Sequence, residues 1–558
     1  MAYVTLSLMS RLTKSKAVIG GASIITIGAV GLALSVPVVS QAAGQAAKAP
    51  AVPASAQPAM AHGADVVIPN PPALSDAESG SFVSGKPFEN PPIRRSSNGN
   101  FSVPLVARNA VVDVAGKKLN ARVYEDSNGN PTYTPPVLVV KPGDNVLVNF
   151  RNELTGEPSN VHTHGVFVSP IGNSDNIFPT IEPGGQMQYN YQLPKDLQPG
   201  SNWYHPHMHP IVEEQVFGGM SGFYYVDGLK ELLPSRFKNV QEDFLRFTDV
   251  QYVGQPGIPE KLYKGQTRNS IPYENIDSGQ PTTRLVNGQL QPVYTVPVGE
   301  TRIWHMANMS ADIWYNMHIT GAKFTVIATD GEPVNTIEAE NTVDTLMMPP
   351  ARRFDVLVQF PTEGNYKLET LKMNTGKAGD KYPKAKEMDI HVTSGAVKLL
   401  KLPTGAYSDN PVDYSKNSVA TKRTMVLTEN SKGFYVNGVQ FASANDINAT
   451  PVKGTTEEWT FVNKTNEDHP IHIHVNDMQI MSINGVKRTD TGLYDTWKIP
   501  HKTSAGPGKV VVRMKFRKYT GAYVFHCHIL AHEDNGMMGV VNVTATNTGP
   551  VPSGSGGN

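Results

Sequence analysis

Cysteine is almost absent from this chain. Cys527 is the only one in 558 residues, so no disulfide can form within the molecule. Charge bias is absent too. Lys+Arg and Asp+Glu number 49 each, for a formal net charge of zero, and nothing in that balance favours nucleic acid or an anionic surface as partner. No long amphipathic helical pattern occurs. Near the N-terminus there is neither a twin-arginine pair nor a cysteine for lipid attachment. Gly (49) and Pro (43) are plentiful, and Val and Thr recur in short runs. That composition predicts an all-β chain with many turns.

The N-terminus reads as an export signal. Arg11, Lys14 and Lys16 precede an apolar run from Ala17 to Val39, and the small-residue site Ser40-Gln41-Ala42 follows. Residues 1–42 are therefore assigned as a signal peptide, with an exported, periplasmic or extracellular product. The alternative is an uncleaved membrane anchor, since the run is just long enough to span a bilayer. Membrane association is expected only in that case. Residues 43–100 are rich in Ala, Pro, Ser and Gly and poor in aromatics, which predicts a disordered tether. Residues 547–558 read as a flexible tail. The roughly 450 residues between correspond to about three domains at about 150 residues each.

A weak repeat supports three copies of one unit. Val140-Lys-Pro-Gly143-Asp144 leads into Asn145–Phe150, Val296-Pro-Val-Gly299-Glu300 into Thr301–His305, and Pro451-Val-Lys-Gly454-Thr455 into Glu457–Val462. Asn152, Asn308 and Asn463 follow these runs. A Gly turn before an alternating strand, three times over, predicts β-sandwiches over 101–232, 240–396 and 418–546, the middle one acting as a spacer.

The histidines carry the chemistry. Of sixteen, ten fall in four segments together with the cysteine: His162-Thr-His164-Gly165, His205-Pro-His207, His469-Pro-Ile-His472-Ile-His474, and His526-Cys527-His528 followed by His532. On a strand, residues two apart share a face and the one between points away. His526 and His528 thus share a face, as do His472 and His474, while Cys527 faces the opposite way. His469 has the parity of Cys527. One side of the strand pair gathers Cys527, His469 and His532, with Met537 as a weak axial sulfur: the ligand set of a blue-copper electron-transfer site. Structural zinc sites usually take two or more cysteines, which favours copper. The other side gathers histidines that, with the first-domain pairs, make eight imidazoles. These are too many for one ion and enough for three with open positions. His209 continues the His205–His207 run as a supporting or structural residue. His62, His305, His318, His391 and His501 have no such company and read as core or surface.

These four segments resemble those of the multicopper oxidases: laccases, bilirubin oxidases, spore-coat laccases and bacterial cuprous oxidases. The resemblance spans about residues 100–546 and implies three tandem cupredoxin-like Greek-key domains. It implies four coppers per chain. His469, Cys527, His532 and axial Met537 would hold type 1 copper, and His162 and His472 type 2. His164, His205 and His528 would form one type 3 set, and His207, His474 and His526 the other. O₂ and a small reducing substrate are the partners it implies, phenolic or otherwise aromatic, with Cu(I), Mn(II) or Fe(II) oxidation, or copper binding without turnover, as alternatives. Glu533 resembles the family's proton-feeding acid and Asp175 its second acid, at a spacing shifted by two residues. Asp495 and the pair Glu467-Asp468 read as surface charge, or as lining the substrate approach. Residues 396–425 hold no methionine before Met425, unlike the methionine-rich insert of the cuprous oxidases. Copper-loaded protein should be strongly blue, and Cys527→Ser should abolish the colour while leaving the remaining copper bound. Metal analysis beside the visible spectrum checks this, and a colourless loaded wild type would overturn it.

Overall fold

Gly143, Gly299 and Gly454 take φ values of +89°, +86° and +87°, a region that side chains avoid and glycine does not. Each turn launches a central strand: Asn145–Glu153, Thr301–Asn308 and Thr456–Asn463. The computed structural model describes residues 68–273, 280–395, 397–489 and 491–546. The expected signal, residues 43–67 of the expected tether, the tail and His62 lie outside them. Among the described residues no helix is long and apolar enough to cross a membrane.

Each central strand has the same neighbours. It runs parallel to an earlier strand of its own domain, Asn100–Val114, Gln241–Val250 or Val419–Asn430. It runs antiparallel to a later one, Gln186–Gln192, Arg353–Gln359 or Gly508–Lys515. A second, five-stranded sheet accompanies each of these three. The chain is thus three sandwiches with a shared plan, all-β as composition predicts. The third domain has its own apolar cluster, which includes Trp459, Cys527 and Met537. Parts of both sheets of the first domain and most of the second domain share another, around Trp203, Trp304 and Trp314, to which the third domain adds Leu530.

The repeated asparagine has a physical reason. Asn152, Asn308 and Asn463 are each wholly buried at an inward-facing position, and each makes the same bonds. The Asn308 amide donates to the carbonyls of Ile313 (2.7 Å) and Met348 (2.9 Å), and its oxygen accepts from Ser310 N–H (3.0 Å). Asn152 does this for Glu157, Ile181 and Leu154. Asn463 does it for Glu467, Ile499 and Thr465. Each side chain satisfies the backbone of the loop that leaves the central strand.

Residues 68–100 depart from the expected tether. Ile93–Arg95 adds a parallel strand beside Val137–Val139. Phe82 packs edge-on against Tyr252 at 6.0 Å and Phe88 against Tyr294 at 5.2 Å. Asn90 bonds Asp243 at 2.9 Å. This segment borrows its apolar partners from the first two domains, so its own composition does not announce it.

Asn308→Ala leaves two carbonyls and one N–H unsatisfied and should cost about 3 kcal/mol. In metal-free protein the unfolding midpoint of the middle domain should fall by about 6–12 °C. Calorimetry checks this, and an unchanged midpoint would mean that water replaces the amide.

Candidate metal centre

The strand Gly521–Cys527 lies between His469–Ile473 and Met538–Val543. Its register pairs His472 with His526 and Ile471 with Cys527. His469 therefore shares the face of Cys527 despite the intervening proline, and His472 shares the face of His526. In the first domain His162 stands opposite His205 across an antiparallel pair. Local alternation thus sorts the donors into two centres on opposite sides of one strand.

On one side, the His469 Nδ1 and His532 Nδ1 atoms lie 3.6 Å and 3.7 Å from Cys527 Sγ. Thr465 Oγ1 lies 2.8 Å from His469 Nε2, which leaves Nδ1 to face the sulfur. Met537 is fully buried in the same apolar cluster as Cys527, and its carbonyl accepts from Cys527 N–H at 3.0 Å. Met538 belongs to a different cluster, with Ile177, Phe441, Val524 and Val540. His532 is only 4% exposed. The Phe434 ring stacks on it at 4.0 Å, and Glu467 Oε2 lies 3.7 Å from its Nε2.

On the other side, buried ligand atoms fall into close groups. His207, His474 and His526 form one, with the His526 Nε2 atom 3.2 Å from His207 Nε2 and 3.3 Å from His474 Nε2. His164, His205 and His528 form a second, and His162 and His472 meet beside His164. The rings are aimed by their far nitrogens. His162 Nδ1 is 3.0 Å from both oxygens of Asp175, of which Oδ1 also accepts from Thr163 N–H at 2.9 Å. The His472 Nδ1 faces the Asp495 carbonyl at 3.0 Å, and His205 Nδ1 the Pro206 carbonyl at 2.8 Å. The opposite Nε2 of each of these three has no hydrogen-bond partner in the protein, nor has either nitrogen of His528.

This donor set fits copper. Burial holds the imidazoles neutral, the ligating form. It pushes His469 down to about 3, His526 to about 4, and His162, His164, His205, His207, His474 and His528 well below the ordinary range. Burial also pushes the Cys527 thiol well up, and a coordinated cation is what holds a buried thiolate. Neutral lone pairs converging without partners are costly to bury, and imidazole with a single thiolate suits copper.

Two acids stand beside the histidines. Glu533 is wholly buried, with Oε2 2.8 Å from His526 Nδ1 and Oε1 3.4 Å from His207 Nδ1. Burial pushes it up to about 7, and does the same for Asp175. His209 stands outside the ligand groups, edge-on to Phe441. His305 is a core residue that Asp355 and Glu242 hold at about 9 against its burial. His501 bonds Asp468 at 2.6 Å, His318 faces Glu369, and His391 is exposed.

Two expectations change. Asp495, Glu467 and Asp468 are buried at 2%, 8% and 3% exposure, so none is plain surface charge, and Asp495 lies behind His472 and His164, away from Cys527. Burial opposes its charge, but Arg353 and His472 hold its carboxyl well below the usual range. Arg353 comes from the middle domain, which is therefore more than a spacer. The one mark it leaves in the sequence is a pair of opposite charges, Arg353 and Asp355, two apart on one face of a mostly apolar strand, which by itself names no site.

Comparison with known proteins agrees. Three family models, each described as multicopper oxidase, match residues 125–231, 258–386 and 411–547, together more than half of the chain. A multicopper oxidase of Staphylococcus aureus is 27% identical, over 81% of this chain and 90% of that protein. The laccase of Bacillus subtilis is 26% identical, over 74% and 89%. Among solved structures, the multicopper oxidase of Campylobacter jejuni, described as a metallo-oxidase, superposes with a TM-score of 0.69 at 25% identity, covering 84% of this chain and 97% of that one. McoA of Aquifex aeolicus gives 0.69 at 21% identity, covering 83% and 100%. The chain belongs to the multicopper oxidase family: it is a copper-dependent oxidoreductase that uses O₂ and a reducing substrate.

Proposed function

We propose that this chain is an exported, laccase-like oxidase that takes single electrons from phenolic or other small aromatic reductants beside His532 and reduces O₂ to two waters at the histidine-rich centre. The observation that carries the reading is the placement of Cys527 between His526 and His528, with one centre on each face of a single strand. Bound copper, four ions per chain, would supply the one-electron changes at the Cys527 centre and the four-electron reduction of O₂ among the eight histidines. His469, Cys527, His532 and Met537 would hold one ion. His162 and His472 would hold a second. His164, His205 and His528, and His207, His474 and His526, would hold the other two.

The protein's own groups do the rest. Two peptide links join Cys527 to His526 and His528, so the two centres are connected through a few covalent bonds. Glu467, 3.7 Å from His532 Nε2, can take the proton that a phenol loses with its electron. At the other centre the Glu533 carboxyl lies within 3.4 Å of two ligand rings, where the oxygen chemistry would consume protons. A buried carboxyl poised near neutrality is a suitable general acid there. Asp175 orients His162 from behind and can serve as a second acid.

A second reading, oxidation of a metal ion, rests on one observation. Asp312 and Asp380 both accept from Tyr382 Oη at 3.3 Å, close enough to Glu467 for all three carboxylates to act on Tyr382. Anaerobic rapid mixing of copper-loaded protein with phenols, Cu(I), Fe(II) and Mn(II) separates the readings. Bleaching of the blue band by the metal ions alone would replace the aromatic assignment.

Two substitutions probe the centres separately. Glu533→Gln should slow reoxidation by O₂ about 100-fold and leave reduction by substrate near wild type. A slowed substrate half-reaction instead would place Glu533 in substrate binding. Met537→Leu, nearly equal in volume, should raise the potential of the Cys527 centre, because a thioether stabilises Cu(II) and an alkyl group does not. Met538→Leu should change it little. Redox titration of both decides, and equal shifts would mean that neither methionine is axial.

A further inference from the structure

Arg353 is wholly buried, and all five of its N–H groups are used. Nη1 and Nη2 fork onto the two oxygens of Asp495 at 2.7 Å and 2.6 Å. Nη1 also donates to the Ala351 carbonyl, Nη2 to Asn202 Oδ1 and Nε to the Ser201 carbonyl, each at 3.1 Å. The acceptors come from the first domain (Ser201, Asn202), the second (Ala351) and the third (Asp495). A guanidinium has five donors in a rigid plane, so this set of acceptors fixes that plane.

Asp495 passes the constraint on to two ligands. Its Oδ1 lies 3.3 Å from His164 Nε2, and its carbonyl faces His472 Nδ1 at 3.0 Å. Thr496 Oγ1 donates to Oδ1 as well. An accepting oxygen at His164 Nε2 places that ring's proton there and leaves Nδ1 as the ligand atom. The His164 Nδ1 has no hydrogen-bond partner in the protein. At His472 the same reasoning leaves Nε2. The two rings therefore present different nitrogens, and one carboxylate residue sets both.

The first-domain motif is shaped around this pair. Gly165, directly after His164, sits at φ +87°. A Cβ there would run into Arg353 and Asn202 and come within 2.7 Å of Asp495 Oδ2.

We propose that Arg353 is a positioning residue of the oxygen-reducing centre: supplied by the domain that carries no ligand, it fixes, through Asp495, the orientation and tautomer of His164 and His472. The inference rests on the copper reading above. It assigns Arg353 to the eight-histidine centre and not to the Cys527 centre. Groups that orient metal-bound histidines typically govern affinity by about 10–100-fold.

The test uses full-length copper-loaded protein and the variants Arg353→Met, Arg353→Lys and Asp495→Asn. The readouts are copper retained against a chelator, the paramagnetic resonance of type 2 copper, and the blue band. Arg353→Met should lose copper from the histidine centre about 10–100-fold more readily and alter the type 2 signal, with the blue band intact. Arg353→Lys keeps the charge without the fork and should fall between. Parallel loss of both centres would reduce Arg353 to a general structural role and overturn the proposal. So would a folded Arg353→Met with wild-type copper retention and type 2 signal. If Arg353→Met does not fold, Asp495→Asn decides: an altered type 2 signal with the blue band intact supports the proposal, and an unchanged signal ends it. A wild type that binds no copper would defeat the copper reading itself, and this inference with it.

Discussion

A β-strand reverses its side-chain direction at every residue, and this molecule depends on that reversal at His526-Cys527-His528. In the function proposed above, the thiolate centre and the histidine centre have to be separate, so that one would meet the reductant and the other O₂. They must also be close, so that electrons pass. One extended tripeptide satisfies both demands. Its neighbours comply: the register of His469–Ile473 puts His472 with His526 and His469 with Cys527. A one-residue slip would exchange the faces and scatter both donor sets.

The cost of the arrangement falls on the buried imidazoles. Eight rings are packed with few partners for the nitrogens that converge, and unpaired polar atoms in an apolar interior are destabilising. Coordination relieves that penalty, so metal binding and folding draw on the same free energy. The groups behind the rings, Asp175, Asp495, Thr465 and the Pro206 carbonyl, hold the donors in place before any ion arrives. The middle domain has a part in this. Through a shared apolar cluster with the first domain and the Arg353 fork to the third, it is the member against which the other two are aligned.

How much of this was legible follows from what each signal rests on. Strand parity is a strict period of two, so the sorting of Cys527 from His526 and His528, and of His472 and His474 from His469, could be read from spacing. The Gly turns and the inward asparagines announced a repeated unit because each copy solves the same backbone problem. Arg353, Asp495 and Thr465 were not legible as parts of the site. A charged or hydroxyl residue on a strand or bend looks like a solvent-facing one; Arg353 and Asp495 meet only where the second and third domains do, and Thr465 is held by the loop around it. The order of segment 68–100 is hidden in the sequence for a related reason. Ile93–Arg95, Phe82 and Phe88 are too few to form a core, and their partners lie far along the chain. Asp175 was found by resemblance to a family pattern despite shifted spacing, since a carboxylate on a turn can swing back to His162 over a range of loop lengths.

The ligands of the histidine centre come from opposite ends of the folded chain: His207 and His526, whose Nε2 atoms nearly touch, are 319 positions apart. Neither end can hold the cluster without the other. The core shared by the first two domains takes only Leu530 from the third. The strand bearing Cys527 arrives within the last few dozen residues. A chain interrupted before that strand lacks His526, Cys527, His528 and His532, so neither donor set can close.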